Sequence, residues 1–446
     1  MAKRLKKNSR RKLRHAGRFE LPALTQAACE MIEADRRPCV CIVGGGAAGM
    51  ACALATSEAW AASNVSAASD AQATSDVQVK IVVLERDSYR GRTILASGNG
   101  RCNFSHTPLD IRQYHNAAFV EKVHRLAQEN PAVPSTLEWF QSLGLVWREM
   151  PEGSGMLYPY SNRATAVTDV LNAAFQRTSV AFYGQANLDC IAKQGTRWLI
   201  SVGDNSFHAD AVVIACGGNP FDKVALTSEY KLPYISCSGV LGPLALKEEV
   251  PEDLDGLRAD VHVRTGSFSE AGEVLFRSYG LSGIVAFNAS RFVKAGDVLT
   301  INFAPDYTAN DLCALFEERL EIFAGRSLVE ACCGFIGPAL VRFACTRSGI
   351  DLHAAFDKEH VPALAHALQT TTVTVGGVAP DQPCQVQRGG VAVEAMDPAC
   401  LATLSDPTLY CIGEALDVDG PCGGYNLDWA WTSGLVAGAS LVRRFS

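Results

Sequence analysis

Glycines at 44, 46 and 49 follow the apolar run Val40-Cys-Ile-Val43 and precede an alanine-rich, helix-favouring stretch, Met50 to Ala62. Strand, then Gly-x-Gly-x-x-Gly, then helix is the context in which a backbone holds the pyrophosphate of a dinucleotide. Gly44 permits the tight turn, Gly46 lets the backbone approach phosphate, and Gly49 lets helix pack closely on strand. Ala47 and Ala48 complete this phosphate turn, where the helix presents unpaired N–H groups and the positive end of its dipole.

A dinucleotide also needs a carboxylate for its ribose hydroxyls. The next strand, Val79 to Glu85, ends in one, with Arg86 beside it. Glu85 lies 36 residues after Gly49, against about 20 in the usual unit. The excess is explained by Ala61 to Gln78, 18 residues without Leu, Ile or an aromatic. Such a segment has no face to bury and is expected to be a disordered insertion. Removing it restores the spacing, so a surface glutamate closing the strand is the weaker reading.

Two further loops carry ligand chemistry. Residues 91–104 read Gly-Arg-Thr-Ile-Leu-Ala-Ser-Gly-Asn-Gly-Arg-Cys-Asn-Phe. They make a poor helix or strand but a good wrapping for an anionic ligand, with Arg92 and Arg101 as candidate phosphate or flavin-carbonyl partners. Gly98, Gly100, Cys102 and Asn103 belong to the same loop. Near the C-terminus an apolar strand ends in Gly413-Glu414, and Asp417, Gly423, Gly424, Tyr425 and Asn426 follow. This loop is expected to bring Glu414 or Asp417 to a ribityl chain. A helix starting at about Gly424 would aim its N-terminal dipole at a flavin's pyrimidine edge, stabilising the reduced anion. A third glycine-capped strand, Ala209 to Gly218, contributes Gly217.

These residues need an α/β scaffold to hold them. The chain is 446 residues long, 48% hydrophobic and 20% charged, enough for two or three domains. No apolar run is long enough for a membrane span. Val180–Tyr183, Leu188–Ala192 and Trp198–Val202 read as a small antiparallel meander. The nucleotide pattern stops at about Pro220 and resumes with Thr372-Val-Thr-Val-Gly-Gly377. The expected division is therefore a basic, disordered extension over 1–37, a dinucleotide domain from 38–220 and 371–446, and an inserted domain over 221–370. The insert is β-rich over 236–303 and helical over 310–368. Trp429 and Trp431 are expected to serve helix packing.

Residues 1–18 hold nine Lys or Arg and no acid, while the whole chain carries −7. That tail suits either an arm for nucleic acid or anionic lipid, or a solvated extension, and the second weighs more. Sixteen cysteines show no Cys-x-x-Cys pair and no zinc spacing, so no metal is expected. Unpaired thiols in buried strands suit a reducing cytoplasm.

With both ends read, the chain resembles the YhiN/BaiN-type FAD-dependent flavoproteins, a group of NAD(P)/FAD-dependent oxidoreductases that includes enzymes named aminoacetone oxidases. The resemblance rests on Ile42–Gly49, Gly91–Asn103, Leu275–Gly283, Val373–Val378 and Gly413–Gly438, and spans residues 38–446. It implies a Rossmann-like FAD-binding domain in two chain segments, with β-barrel and helical modules inserted between them. It also implies that the loops at 91–103 and 413–426 hold the flavin.

The expected activity is hydride transfer between a small organic substrate and flavin N5, with NAD(P)H or oxygen recycling the flavin. No acid or base can be named; Asn103, His106, Tyr158 and Tyr425 are candidates for which a structural hydrogen bond weighs more than catalysis. One alternative is a plain NAD-dependent dehydrogenase, since Glu85 suits NAD equally. Another is a flavin-holding nucleic-acid protein anchored by the basic tail, ranked last because the body is acidic. The expected partner is a small molecule, with no stable nucleic acid and no membrane span.

Overall fold

The computed structural model describes residues 20–67, 79–220 and 232–445. The chain divides into two compact units, Met1–Ser238 with Gln387–Ser446, and Gly239–Val386.

The first unit is built on a five-stranded parallel sheet: β1 (Cys39–Val43), β2 (Lys80–Leu84), β3 (Ala181–Tyr183), β4 (Ala211–Ile214) and β5 (Leu409–Cys411). Their spatial order is β5-β4-β1-β2-β3. Val40 pairs with both Ala211 and Ile81, which fixes β1 at the centre. All five residues of β1 and of β2 are buried, as strands of a parallel sheet covered on both faces are; the one polar member, Lys80, donates from Nζ to Asp35 O at 2.7 Å.

Helix α1 (Ala47–Ala67) leaves the turn after β1, and helix α2 (Tyr425–Phe445) ends the described chain. The two pack through small residues. A β-carbon on Gly434 would fall 2.5 Å from the Ala48 carbonyl oxygen, and one on Gly438 would fall 2.6 Å from the Ala55 β-carbon. Trp429 and Trp431 are both buried, as expected. Their indole N–H groups donate to Gly413 O at 3.1 Å and Phe104 O at 3.0 Å. Each ring removes roughly 150–250 Å² from water, which anchors α2 strongly.

Three expectations change here. Of the insertion drawn over 61–78, residues 61–67 instead continue α1, and residues 68–78 lie outside the described residues. Of the extension drawn over 1–37, residues 1–19 lie outside the described residues and the rest is not without structure. Gln26–Ala34 is a helix capped by Thr25, and it buries Ala28, Cys29 and Ile32. Finally, Ala181–Tyr183 is the edge strand beside β2. The meander is Cys190–Gln194, Arg197–Val202 and Asn205–Ala209.

The second unit is a closed six-stranded barrel with helices of its own. Leu244–Leu246 pairs with Thr371–Val378 to close it. That strand also pairs with Val298–Asn302. The Thr372–Gly377 run therefore belongs to the barrel, and the unit boundaries fall after 238 and 386, not after 220 and 370. Alternating Thr and Val suits a half-buried barrel strand as well as an edge of the nucleotide sheet, so composition alone does not separate them.

Among the described residues no helix is long and apolar enough to cross a membrane. The sixteen cysteines are free thiols.

Candidate functional site

The glycines of the first turn have different local reasons for being glycine. Gly44 has φ +113°, and a β-carbon there would sit 2.8 Å from the Ala215 carbonyl carbon. One on Gly49 would overlap the Gly44 carbonyl oxygen. Both are demanded by the protein's own packing. Gly46 is not: its β-carbon would meet nothing nearer than Thr93 Oγ1 at 3.4 Å. Its missing side chain leaves the backbone open, as an approaching phosphate requires.

Glu85 stands at the end of β2, as the sequence predicts. Its carboxylate accepts from the Gly45 N–H at 2.8 Å and the Asp87 N–H at 3.0 Å. Burial nonetheless pushes its pKa up, outweighing those two hydrogen bonds. The carboxylate thus lies against the phosphate turn. Arg86 is exposed. Arg92 begins a short helix, Arg92–Ala96, where a loop was expected, and its guanidinium pairs with Asp87 at 2.7 Å.

The 97–103 loop is shaped by left-handed residues, Gly98 (φ 54°), Asn99 (φ 57°), Gly100 (φ 82°) and Cys102 (φ 59°). Arg101 curls over the Tyr158 ring, 5.2 Å from its centroid, and its Nε donates to Gly98 O at 3.2 Å. Cys102 is buried, which raises its thiol to about 12 and removes it as a nucleophile. Asn103 is 9% exposed, and its Oδ1 accepts no hydrogen bond. An orphaned amide oxygen costs about 1–3 kcal/mol. A ligand N–H presented to Asn103 would remove that cost.

The C-terminal loop meets the other two. A β-carbon on Gly413 (φ +62°) would lie 2.9 Å from the Ala48 β-carbon. The Gly413 N–H donates to Ser433 Oγ at 2.9 Å. Gly424 (φ +102°) sits where a β-carbon would fall 2.9 Å from Asn103 Oδ1. His106 Nδ1 lies 2.9 Å from Gly423 O, and its ring packs on Tyr425 at 4.9 Å. Gly413 is thus brought to Ala48 of the first turn, while Gly424 is brought to Asn103, whose backbone N lies against Gly98. Gly217 (φ +74°) follows β4, whose next residues, Ala215 and Cys216, abut Gly44.

Three expected ligand residues are occupied by the protein. Asp417 accepts from Gly389 N–H at 2.8 Å and Asn116 Nδ2 at 3.1 Å, and pairs with His115 at 3.1 Å. Burial alone would raise its pKa, but His115 and these hydrogen bonds hold it low. Asn426 clamps its own loop, accepting from Gly420 N–H and donating to Gly420 O. Glu414 accepts from Gln387 N–H at 2.9 Å. These residues build the loop's shape.

Sequence reasoning passed over the strand Val386–Val391, Val-Gln-Arg-Gly-Gly-Val. Arg388 forms a two-pronged contact with Asp419 at 2.7 and 2.8 Å. A β-carbon on Gly390 would fall 2.6 Å from Ala415 O. The adjacent glycines were the signal that could have found it. Asp428 was passed over as well: it lies in the first turn of α2, 5% exposed, accepting from Ser105 Oγ at 2.6 Å.

The family described as HI0933-like protein Rossmann domain matches residues 38–440. The chain is 28% identical over 425 residues to the 3-dehydro-bile acid delta(4,6)-reductase of Clostridium scindens, covering 90% of this chain and 98% of that protein. It is 25% identical over 420 residues to the ribosomal RNA dihydrouridine synthase of Escherichia coli, covering 90% and 97%. Among solved structures, a 3-ketosteroid delta1-dehydrogenase from Sterolibacterium denitrificans superposes with a TM-score of 0.46 at 11% identity, covering 91% of this chain and 99% of that one.

Proposed function

We infer the reaction from one premise: this chain belongs to the HI0933-like Rossmann-domain family and is an FAD-dependent oxidoreductase. The proposed reaction is reduction of a carbon–carbon double bond conjugated to a carbonyl. The observation that carries the cofactor half is Asn103, whose buried, unpartnered Oδ1 faces the turn at Gly424. The substrate half is supported by the two relatives. One is named a 3-dehydro-bile acid delta(4,6)-reductase and the other a ribosomal RNA dihydrouridine synthase, and saturation of an alkene near a C=O is the chemistry we take to be common to them.

The residues present fit FAD. Gly46, Ala47 and Ala48 would hold the pyrophosphate, Glu85 the adenosine ribose, and Asn103 with the Gly424–Tyr425 turn the ring edge. Bound FAD supplies the hydride chemistry at N5, which no side chain can perform. The protein's task is to hold the alkene in line, exclude water and deliver the second hydrogen as a proton. Tyr158 is suited to that delivery. It is 6% exposed, and burial raises its pKa so that the hydroxyl stays protonated, although Arg101 acts in the opposite sense. NAD(P)H is the electron donor in this reading.

Anaerobically reduced holoprotein should be reoxidised by an enone, with saturation of the alkene detected by mass spectrometry. A folded sample that refuses FAD, or reduced flavin inert to every enone and to uridine, would overturn the reading.

A second reading keeps the chemistry and places the alkene in RNA. It is favoured by the nine cations of residues 1–18 together with the name of the Escherichia coli relative. It differs from the small-molecule partner expected above. Deleting residues 1–18 should then weaken RNA binding and flatten its salt dependence; equal binding by both forms would exclude it.

A further inference from the structure

Asp428 is a buried carboxylate that the reaction described above does not use. It occupies the first turn of α2, with its own N–H donated to Gly424 O at 2.9 Å. Ser105 Oγ donates to its Oδ2 at 2.6 Å, and Thr432 Oγ1 lies 3.5 Å from its Oδ1. Thr136 also bonds to it and lies 3.3 Å from Thr432 Oγ1. None of these partners carries a charge. From the elements packed around it, the titratable groups are Tyr425 on its own helix and His106 beside Ser105, with Asp110 acting on Tyr425. A carboxylate here opposes the positive end of the α2 dipole, the feature that would stabilise negative charge gained by a ligand beside Gly424.

We propose that Asp428 is a redox-linked proton acceptor, taking one proton from water when bound FAD gains two electrons and releasing it when the flavin is reoxidised. The inference rests on the FAD reading above. The reductant is NAD(P)H, or dithionite in the test. The hydride brings two electrons and one proton to the flavin, and the second proton resides on Asp428. New negative charge at the α2 start disfavours a second anion at Asp428, which lies in low dielectric without a counter-cation. Burial already pushes the carboxyl up to about 6 against its three hydroxyl hydrogen bonds, so a small further rise carries it through neutrality. Asn103, Ser105 and Gly424 form the contact between the proposed ring site and Asp428.

The experiment is the midpoint potential of the holoprotein against pH, for wild type and Asp428→Asn. One extra proton per two electrons changes the equilibrium tenfold per pH unit, about 30 mV. Between about pH 6 and the higher pKa of the reduced state, the wild type should show that extra slope and Asp428→Asn should lack it. The flavin's own N1 could add a proton in both proteins, so the difference between them decides. Equal slopes would overturn the proposal. If the variant fails to fold, proton uptake by wild type on photoreduction, read with an indicator dye at pH 7, replaces it: one proton per electron pair refutes the role. Ser105→Ala should shift the break in slope to higher pH. Wild type that binds no FAD would instead refute the cofactor reading itself.

Discussion

A β-carbon on Gly49 would overlap the carbonyl oxygen of Gly44, while one on Gly46, between them in sequence, would have 3.4 Å of clearance from Thr93 Oγ1. Neighbouring glycines of one motif therefore answer to different demands, two to the fold's own packing and one, in the proposed reading, to a ligand. Gly46→Ala should leave the melting temperature of the apoprotein nearly unchanged and weaken FAD binding about tenfold or more, roughly 1.4 kcal/mol. Gly49→Ala should instead abolish soluble, folded protein. Thermal denaturation beside flavin titration separates the two.

Asn103→Ala removes an amide whose oxygen has no partner. The apoprotein should change by less than about 1 kcal/mol, because the lost polar contact and the relieved desolvation oppose each other. FAD affinity should fall about 10- to 100-fold. A large loss of apoprotein stability with intact FAD affinity would assign Asn103 to the scaffold alone.

Asp417 gives the opposite pattern. Its carboxylate ties His115, Asn116 and Gly389 together, so Asp417→Ala should destabilise the apoprotein by about 3 kcal/mol in urea unfolding. Its pKa is held below the ordinary carboxylate value. The stabilisation is therefore present above about pH 4 and is lost as pH falls through the lowered value. The wild-type and Asp417→Asn curves should converge in acid.

Asp428 has the reverse sign. Its folded pKa of about 6 lies above the unfolded value. Its favourable contribution is complete below about pH 4 and is lost as pH rises through 6. Asp428→Asn apoprotein should gain on wild type across that interval, by about 2 kcal/mol at pH 8. Urea unfolding at pH 4.5 and pH 8 measures the difference without any cofactor.

Much of the architecture was legible in the sequence because backbone demands leave marks in residue type. Gly44 and Gly49 mark a strand–turn–helix, and the pattern Gly98-Asn-Gly100 marks left-handed turns. The buried runs at 39–43 and 80–84 could only be interior strands. What stayed hidden depends on tertiary partners. Asp428 looks like a helix-surface carboxylate until Ser105 and Thr136, some three hundred residues earlier, are seen to cover it. Asp417 looked available until Gly389 and His115 were found on it. Thr371–Val378 alternates as any half-buried strand does, and only its pairing with Leu244–Leu246 assigns it to the barrel.

The return of the chain at Gln387 also sets an order of assembly. The barrel unit, Gly239–Val386, is continuous in sequence, so it can fold as it leaves the ribosome. The nucleotide sheet cannot be completed until β5 has been made, nor α1 covered until α2 has, and both follow the barrel unit in sequence. In the proposed FAD reading, cofactor capture therefore waits until the barrel unit has been made, and a ribosome that stops before Tyr425 releases a chain with no finished place to keep a flavin.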